Sequence, residues 1–211
     1  TFVDIDLKAS TALANRFANV MFEYCDIRNI ETLRSVIEKS IEANGPIAIL
    51  VNNAASDDRH AIESVTPEYW DNCQNINLRP HFFSAQAVVE SMKALNGGSI
   101  INLSSNSFML KVGGMPGYLA SKAAIIGLTN ALARDLGPHK IRVNAVLPGW
   151  IMTEKQRTLW MTAEDEKELL ATQCLKELIY PEEIAKLVLF LASEQSRMIT
   201  AQSLVIDAGR A

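Results

Sequence analysis

The sequence predicts an α/β fold, a doubly wound parallel sheet with helices on both faces. Three observations predict it. Short β-branched runs of strand length alternate with longer helical patterns, the runs are apolar throughout rather than at every second residue, and turn residues bound each one. Continuous apolarity marks strands buried on both faces, and strand–helix alternation produces a parallel sheet. At 211 residues the chain fits one domain, 1–211, large enough for a real core.

The elements follow in order. "TFVDIDLKAS" reads as the end of a strand entering a helix, and a helical pattern covers 28–43. "IAILV" (47–51) is the next strand. Thr66, Pro67 and Glu68 then give a cap, an N1 proline and an acid at the positive end of a helix over 67–94. Pro80 lies inside that helix, where its missing N–H leaves the Ile76 carbonyl without a partner, so a kink is expected beside Asn77. "SIINL" (99–103) and "IRVNAVL" (141–147) are strands flanking a helix over 118–136. Pro181, Glu182 and Glu183 start a helix over 181–193, and "SLVI" (203–206) closes the sheet.

The stretch 150–180 breaks this rhythm. It follows a Pro-Gly, is rich in charge and carries Trp150 and Trp160. An excursion at this place is either a substrate lid or a surface helical insertion.

Composition excludes several classes. A net charge of −4 with no basic run argues against a nucleic-acid partner, and no apolar stretch reaches the ~20 residues that span a bilayer. Cys25, Cys73 and Cys174 are odd in number and widely spaced, as expected of reduced thiols in a cytoplasmic protein. The three histidines show no metal-ligand spacing, so no metal is expected.

The chemistry centres on "YLASK". Tyr118 and Lys122, four apart, share one helix face. A phenol with pKa near 10 is a poor base at neutral pH. An ammonium at ~4 Å would attract the phenolate by about 4 kcal/mol before desolvation, so Lys122 is expected to lower the pKa of Tyr118. Ser105, thirteen residues earlier, follows a strand at the carboxyl end where open sheets bind ligands. A hydroxyl there suits a substrate oxygen, although Ser104 and Ser107 compete for the role.

"NNAA" (52–55), Asn77, Ser104–Ser105, "YLASK" and "PGWIMT" (148–153) together resemble the short-chain dehydrogenase/reductase family, in order and over essentially the whole chain. The resemblance implies a Rossmann-like, NAD-binding domain and an oxidoreductase acting on CH–OH. It implies Tyr118 as general acid/base, Lys122 as the group that lowers its pKa and binds the nicotinamide ribose, and Ser105 as the substrate-orienting hydroxyl. Asn77 would hold a water linking Lys122 to solvent. On the cofactor side it implies Asp4 on the adenosine ribose, which favours NAD over NADP. Asp26 and Ile27 would sit at the adenine, Asn53, Ala54 and Ala55 at the ribose, and Pro148, Gly149, Ile151 and Thr153 at the nicotinamide. Ala55 stands where the family usually has glycine. Asp4 also reads as a plain helix-start acid, and Asn52 or Asn53 as a turn closer.

"SDDRH" (56–60) and "PGWIMTEKQRTLW" (148–160) resemble the branch that oxidises aldoses at C1 to lactones. A polyhydroxy substrate needs several donors and acceptors, for which Arg59, His60, Asn106 and Gln156 are candidates; the alternative for 57–60 is a solvated charged loop. A 3-oxoacyl-thioester reductase is the second reading, and an inactive fragment or interaction protein the third. The third arises because no G-x-x-x-G-x-G lies near the start. The first strand, glycine-rich turn and first helix of the fold are therefore expected to be missing, with the gap between the pieces that begin at Phe2 and at Val20, and NAD binding is expected to be weak. The family also implies a homo-oligomer, a tetramer or dimer. The apolar stripe of "AAIIGLTNALARDL" fits either a core face or such an interface.

Overall fold

The computed structural model describes residues Thr1–Ala211. In chain order it contains β1 (Phe2–Asp4), α1 (Leu7–Ala14), β2 (Phe22–Tyr24), α2 (Ile30–Asn44), β3 (Ile49–Asn52), α3 (Pro67–Asn77), α4 (Arg79–Ala94), β4 (Gly98–Leu103), α5 (Pro116–Leu136), β5 (Ile141–Pro148), α6 (Glu154–Leu159), α7 (Ala163–Thr172), α8 (Pro181–Ala192) and β6 (Ser203–Ile206). Every strand pairing is parallel. No helix is long and apolar enough to cross a membrane.

The strands form two sheets, β1-β2 and β3-β4-β5-β6. β1 pairs directly with β2, Phe2 opposite Phe22 and Asp4 opposite Tyr24. This corrects the expected place of the gap: the pieces on either side of α1 are neighbours, joined by a helical crossover as parallel strands require, and the sheet is interrupted between them and β3.

In the four-stranded sheet, alternate residues of the central strands feed opposite cores. Ile100 and Val143 pack with Leu33, Val36 and Ile37 of α2, Val88 and Met92 of α4 and Leu136 of α5. Ile101, Leu103 and Val146 face the other way, against Leu191, Ile184 and Val188 of α8. β4 and β5 are thus buried on both faces. β3 is not: Leu50 packs against the first core, whereas Ile49 and Val51 stay exposed. The apolar run "IAILV" predicts two covered faces, but α8 packs on β4 and β5 and leaves that side of β3 open.

The expected single helix over 67–94 is two helices broken at Leu78 (φ −129°, ψ −54°). Thr66 caps α3 by accepting from Tyr69 N at 3.2 Å. At the break, His81 N donates to Leu78 O at 3.1 Å and passes over the Asn77 carbonyl, as Pro80 must pass over that of Ile76. On α5, Ile125, Thr129, Ala133 and Leu136 are buried, while Ala123, Ala124, Gly127 and Ala131 lie on its exposed side.

Candidate active site

β4 ends at Leu103, and the chain then crosses to α5. Ser104 N donates to Val146 O at 2.8 Å, and Ser104 Oγ to the Lys122 carbonyl at 2.6 Å, tying the strand end to the helix. That contact occupies Ser104 and leaves Ser105 facing the cavity, where its Oγ pairs with Ser107 Oγ at 2.8 Å and accepts from Ser107 N at 3.1 Å.

α5 begins at Pro116 and brings Tyr118 and Lys122 to the same place. Gly117 permits this: a Cβ there would lie 3.2 Å from Cys73 Sγ, so α3 and α5 cross closely. Gln74 of α3 strengthens the crossing, donating to Gly117 O at 3.1 Å and accepting from Ser121 Oγ at 3.0 Å.

Lys122 is 2% exposed. Its Nζ donates to Leu103 O at 2.8 Å and lies 5.4 Å from the centroid of the Tyr118 ring. Burial moves both groups toward their neutral forms. The Lys122 ammonium is brought down to about 8, chiefly by desolvation. Tyr118 is pushed up to about 12, again chiefly by burial; the Ser105 hydroxyl pulls the other way. The expected lowering of Tyr118 by Lys122 is therefore corrected. The ammonium points at a carbonyl and sits over the ring, not at the phenol oxygen, so desolvation outweighs charge.

Asn77 is fully buried, and its side chain is committed to the loop after β3. Oδ1 accepts from Ser56 N at 2.9 Å, while Nδ2 donates to Ser56 O at 3.0 Å and Cys73 O at 3.1 Å. What the helix break leaves without a backbone donor at this residue is its main-chain carbonyl.

One cavity of about 710 Å³ gathers Tyr118, Lys122 and Ser105 with Asn53, Ala55, Pro148, Gly149, Ile151 and Thr153. Its size lies within the range of small-molecule sites. Asp57, Arg59, Asn106, Trp150 and Gln156 supply polar groups to its wall. Asn106 Nδ2 donates to Asp207 Oδ2 at 2.8 Å, and Asp207 also accepts from the backbone N–H groups of Gly209, Arg210 and Ala211.

Ala54, Asp4, Asp26 and Ile27 do not line this cavity. Asp4 and Asp26 sit at and just beyond the carboxyl ends of β1 and β2. Asp4 Oδ1 accepts from Asp6 N at 2.8 Å, and Asp26 takes the Arg28 guanidinium, Nε lying 2.9 Å from both oxygens. His60 is also outside. Its Nδ1 lies 2.9 Å from the Tyr69 hydroxyl and 3.0 Å from Asp58 O, and Nε2 accepts from Gly117 N at 3.4 Å. It braces the loop against α3 and α5.

The excursion over 150–180 carries α6 and α7 and is pinned at its root by a parallel bridge between Ile151 and Ile179. Thr153 caps α6, accepting from Gln156 N at 3.2 Å. One set of contacts behind the wall escaped sequence reasoning: Asp57 accepts from Lys155 Nζ at 2.7 Å and from Gln156 Nε2 at 2.6 Å. The only sequence signal was charge on both segments, which carries no pairing information.

The family implies a nicotinamide dinucleotide. The donor set fits its two ends: carboxylates beside β1 and β2 suit ribose and adenine, and Lys122, Thr153 and the 148–151 backbone share the cavity of Tyr118. No cluster of three metal-ligating side chains occurs.

Comparisons with known proteins bear on the family and the fold. A family model described as enoyl-(acyl carrier protein) reductase matches residues 1–211. "Probable galactose dehydrogenase GalD" of Rhizobium meliloti is 45% identical over 99% of this chain and 83% of its own length. "D-xylose 1-dehydrogenase" of Caulobacter vibrioides is 42% identical over 99% of this chain and 84% of its own. A solved structure described as a short-chain alcohol dehydrogenase from Sinorhizobium meliloti 1021 superposes with a TM-score of 0.90 at 27% identity, covering 99% of this chain and 84% of that one. With a Rossmann-like parallel fold and relatives of this kind across its length, the chain belongs to the short-chain dehydrogenase/reductase family and is an oxidoreductase acting on CH–OH groups.

Proposed function

We propose that the chain oxidises an aldose at C1 to a lactone with NAD. The observation that carries the reading is the convergence of Tyr118 and Ser105 on a cavity whose wall is polar on several sides, at Asp57, Arg59, Asn106 and Gln156. The relatives named for galactose and D-xylose support it.

In this reading Ser105 holds the C1 oxygen and Tyr118 takes its proton as the C1–H bond breaks and the C=O bond forms. The cofactor, when bound, supplies the hydride acceptor. Asp4, Asp26, Ile27, Asn53, Ala54 and Ala55 hold its adenosine side, and Lys122, Pro148, Gly149, Ile151 and Thr153 its nicotinamide side. The Asp4 carboxylate repels a 2′-phosphate, which favours NAD. Lys122 bonds the nicotinamide ribose, and a water held by Asn77 links Lys122 to solvent. Arg59 and Asn106 contact the sugar, with α6 and α7 covering it. The enzyme assembles as a homo-oligomer.

A panel of aldoses assayed for NADH formation tests this reading, and clear turnover with a preferred sugar is expected. The competing reading draws on a 3-oxoacyl-[acyl-carrier-protein] reductase of Thermotoga maritima, 36% identical over 87% of this chain and 74% of its own length. NADPH oxidation by an acetoacetyl thioester, without turnover of any aldose, would establish that one instead.

A further inference from the structure

Asp57 is one of four charged residues of the cavity wall that the proton-transfer set does not use, with Arg59, Asp165 and Arg210. Both its oxygens are fixed from α6, Oδ1 by Lys155 Nζ at 2.7 Å and Oδ2 by Gln156 Nε2 at 2.6 Å. Gln156 is itself oriented by Trp150, whose Nε1 donates to Oε1 at 2.8 Å. A second tie runs parallel, with the Arg59 guanidinium 5.3 Å over the Trp160 ring. The loop after β3 and the 150–160 segment are thus locked together around the cavity, with a carboxylate at the lock.

Burial pushes the Asp57 carboxyl up, but the hydrogen bonds from Lys155 and Gln156 and the Lys155 charge hold it below the usual range. It stays anionic at neutral pH, and its charge reaches both Tyr118 and Lys122. A carboxylate has about four acceptor sites, so each oxygen retains one beyond its present partner. An anionic acceptor preset in a partly dry wall requires a donor from whatever binds beside it.

We propose that Asp57 determines specificity: its carboxylate, set by Lys155 and Gln156, accepts a hydrogen bond from a substrate hydroxyl other than the one being oxidised. This rests on the aldose reading and deepens it. A sugar offers several such donors. A 3-oxoacyl thioester offers only acceptor oxygens near its reacting carbon, which repel the carboxylate's lone pairs and leave its remaining acceptor sites without a donor. Sites built to bond a hydroxyl reject analogues lacking it far more strongly than apolar pockets reject a misfit.

The test compares oxidation of the preferred aldose with that of the N-acetylcysteamine thioester of 3-hydroxybutyrate, whose sole hydroxyl is the reacting one. Asp57→Asn and Lys155→Met are measured beside the wild type. Asp57→Asn is expected to raise the aldose KM at least tenfold with kcat within threefold. It is also expected to narrow the kcat/KM ratio of aldose to thioester at least tenfold, because the amide can donate. Lys155→Met, which removes an anchor and keeps the carboxylate, is expected to retain most of the ratio. If Asp57→Asn leaves the aldose KM within twofold, or lowers both substrates in parallel, Asp57 only docks α6 and the proposal is overturned while the aldose reading stands. If the wild type turns over the thioester and no aldose, that reading falls and the proposal with it.

Discussion

Lys122 Nζ gives its hydrogen bond to the Leu103 carbonyl, 2.8 Å away, and hovers 5.4 Å from the centre of the Tyr118 ring. The pair lies one helical turn apart, yet the cation does not meet the phenol oxygen. Two consequences follow for protonation, one for each residue.

For Tyr118 the consequence is a proton firmly held, with the phenol up at about 12 through burial. Oxidation needs the deprotonated form and reduction the protonated one. Initial rates of oxidation should therefore rise from pH 7 to pH 10, while those of the reverse reaction, which draws on the protonated form that still dominates, stay level. The Ser105 hydroxyl opposes the upward shift, so Ser105→Ala should move the oxidation profile to higher pH as well as lower its plateau.

For Lys122 the consequence is a pH-dependent stability. Its pKa is near 8 in the folded chain and about 10.4 when unfolded. Between those values the unfolded state binds more protons, so stability rises with pH. The burial cost, about 3 kcal/mol by the size of the shift, is present below pH 8 and lost as pH climbs toward 10.4. Urea unfolding at a series of pH values should show this rise in the wild type, and Lys122→Met should remove it.

Asn77→Ala should act through the loop that its side chain holds. Removing the amide leaves Ser56 N and O without their partner in a partly buried setting. The expected loss is about 2–4 kcal/mol of unfolding free energy, with a raised substrate KM because Asp57 and Arg59 sit on the released segment. Urea unfolding and steady-state kinetics on the same preparation check both.

Gly149→Ala tests close packing under the cavity. A Cβ there would lie 2.7 Å from Asp207 Cβ and 2.9 Å from its Cα, so the backbone at 207 must move. A stability loss of about 1–3 kcal/mol is expected, together with reduced activity, since Asp207 anchors Asn106. Unfolding midpoints and specific activity provide the readout.

What the sequence made legible is what depends on local chemistry. Tyr118 and Lys122 could be paired because helical spacing sets their common face, and Pro80 announced the break at Leu78. Directions of side chains were harder. His60 looks like a substrate ligand in a polar loop, but which way a loop residue points is decided by Tyr69 and Gly117, distant in sequence. The Asp57–Lys155 contact spans nearly half the chain, and charges alone do not say which will meet. The pairing of β1 with β2 was missed because apolar strands carry no label for their neighbours. The direction of the Tyr118 shift escaped because spacing gives distance along a helix, not the depth of burial or the carbonyl that captures the amine.

Replacing Tyr118 by phenylalanine is the most direct measurement on the proton-transfer assignment, with aldose turnover read beside NAD affinity. Loss of the hydroxyl should lower kcat by about 10²–10⁴-fold, the usual worth of a positioned acid/base, with the ring still packed in the wall and NAD affinity unchanged from the parent chain. A variant that turns over within threefold of the wild type would mean that the proton leaves by another route, and the assignment of this site would fail.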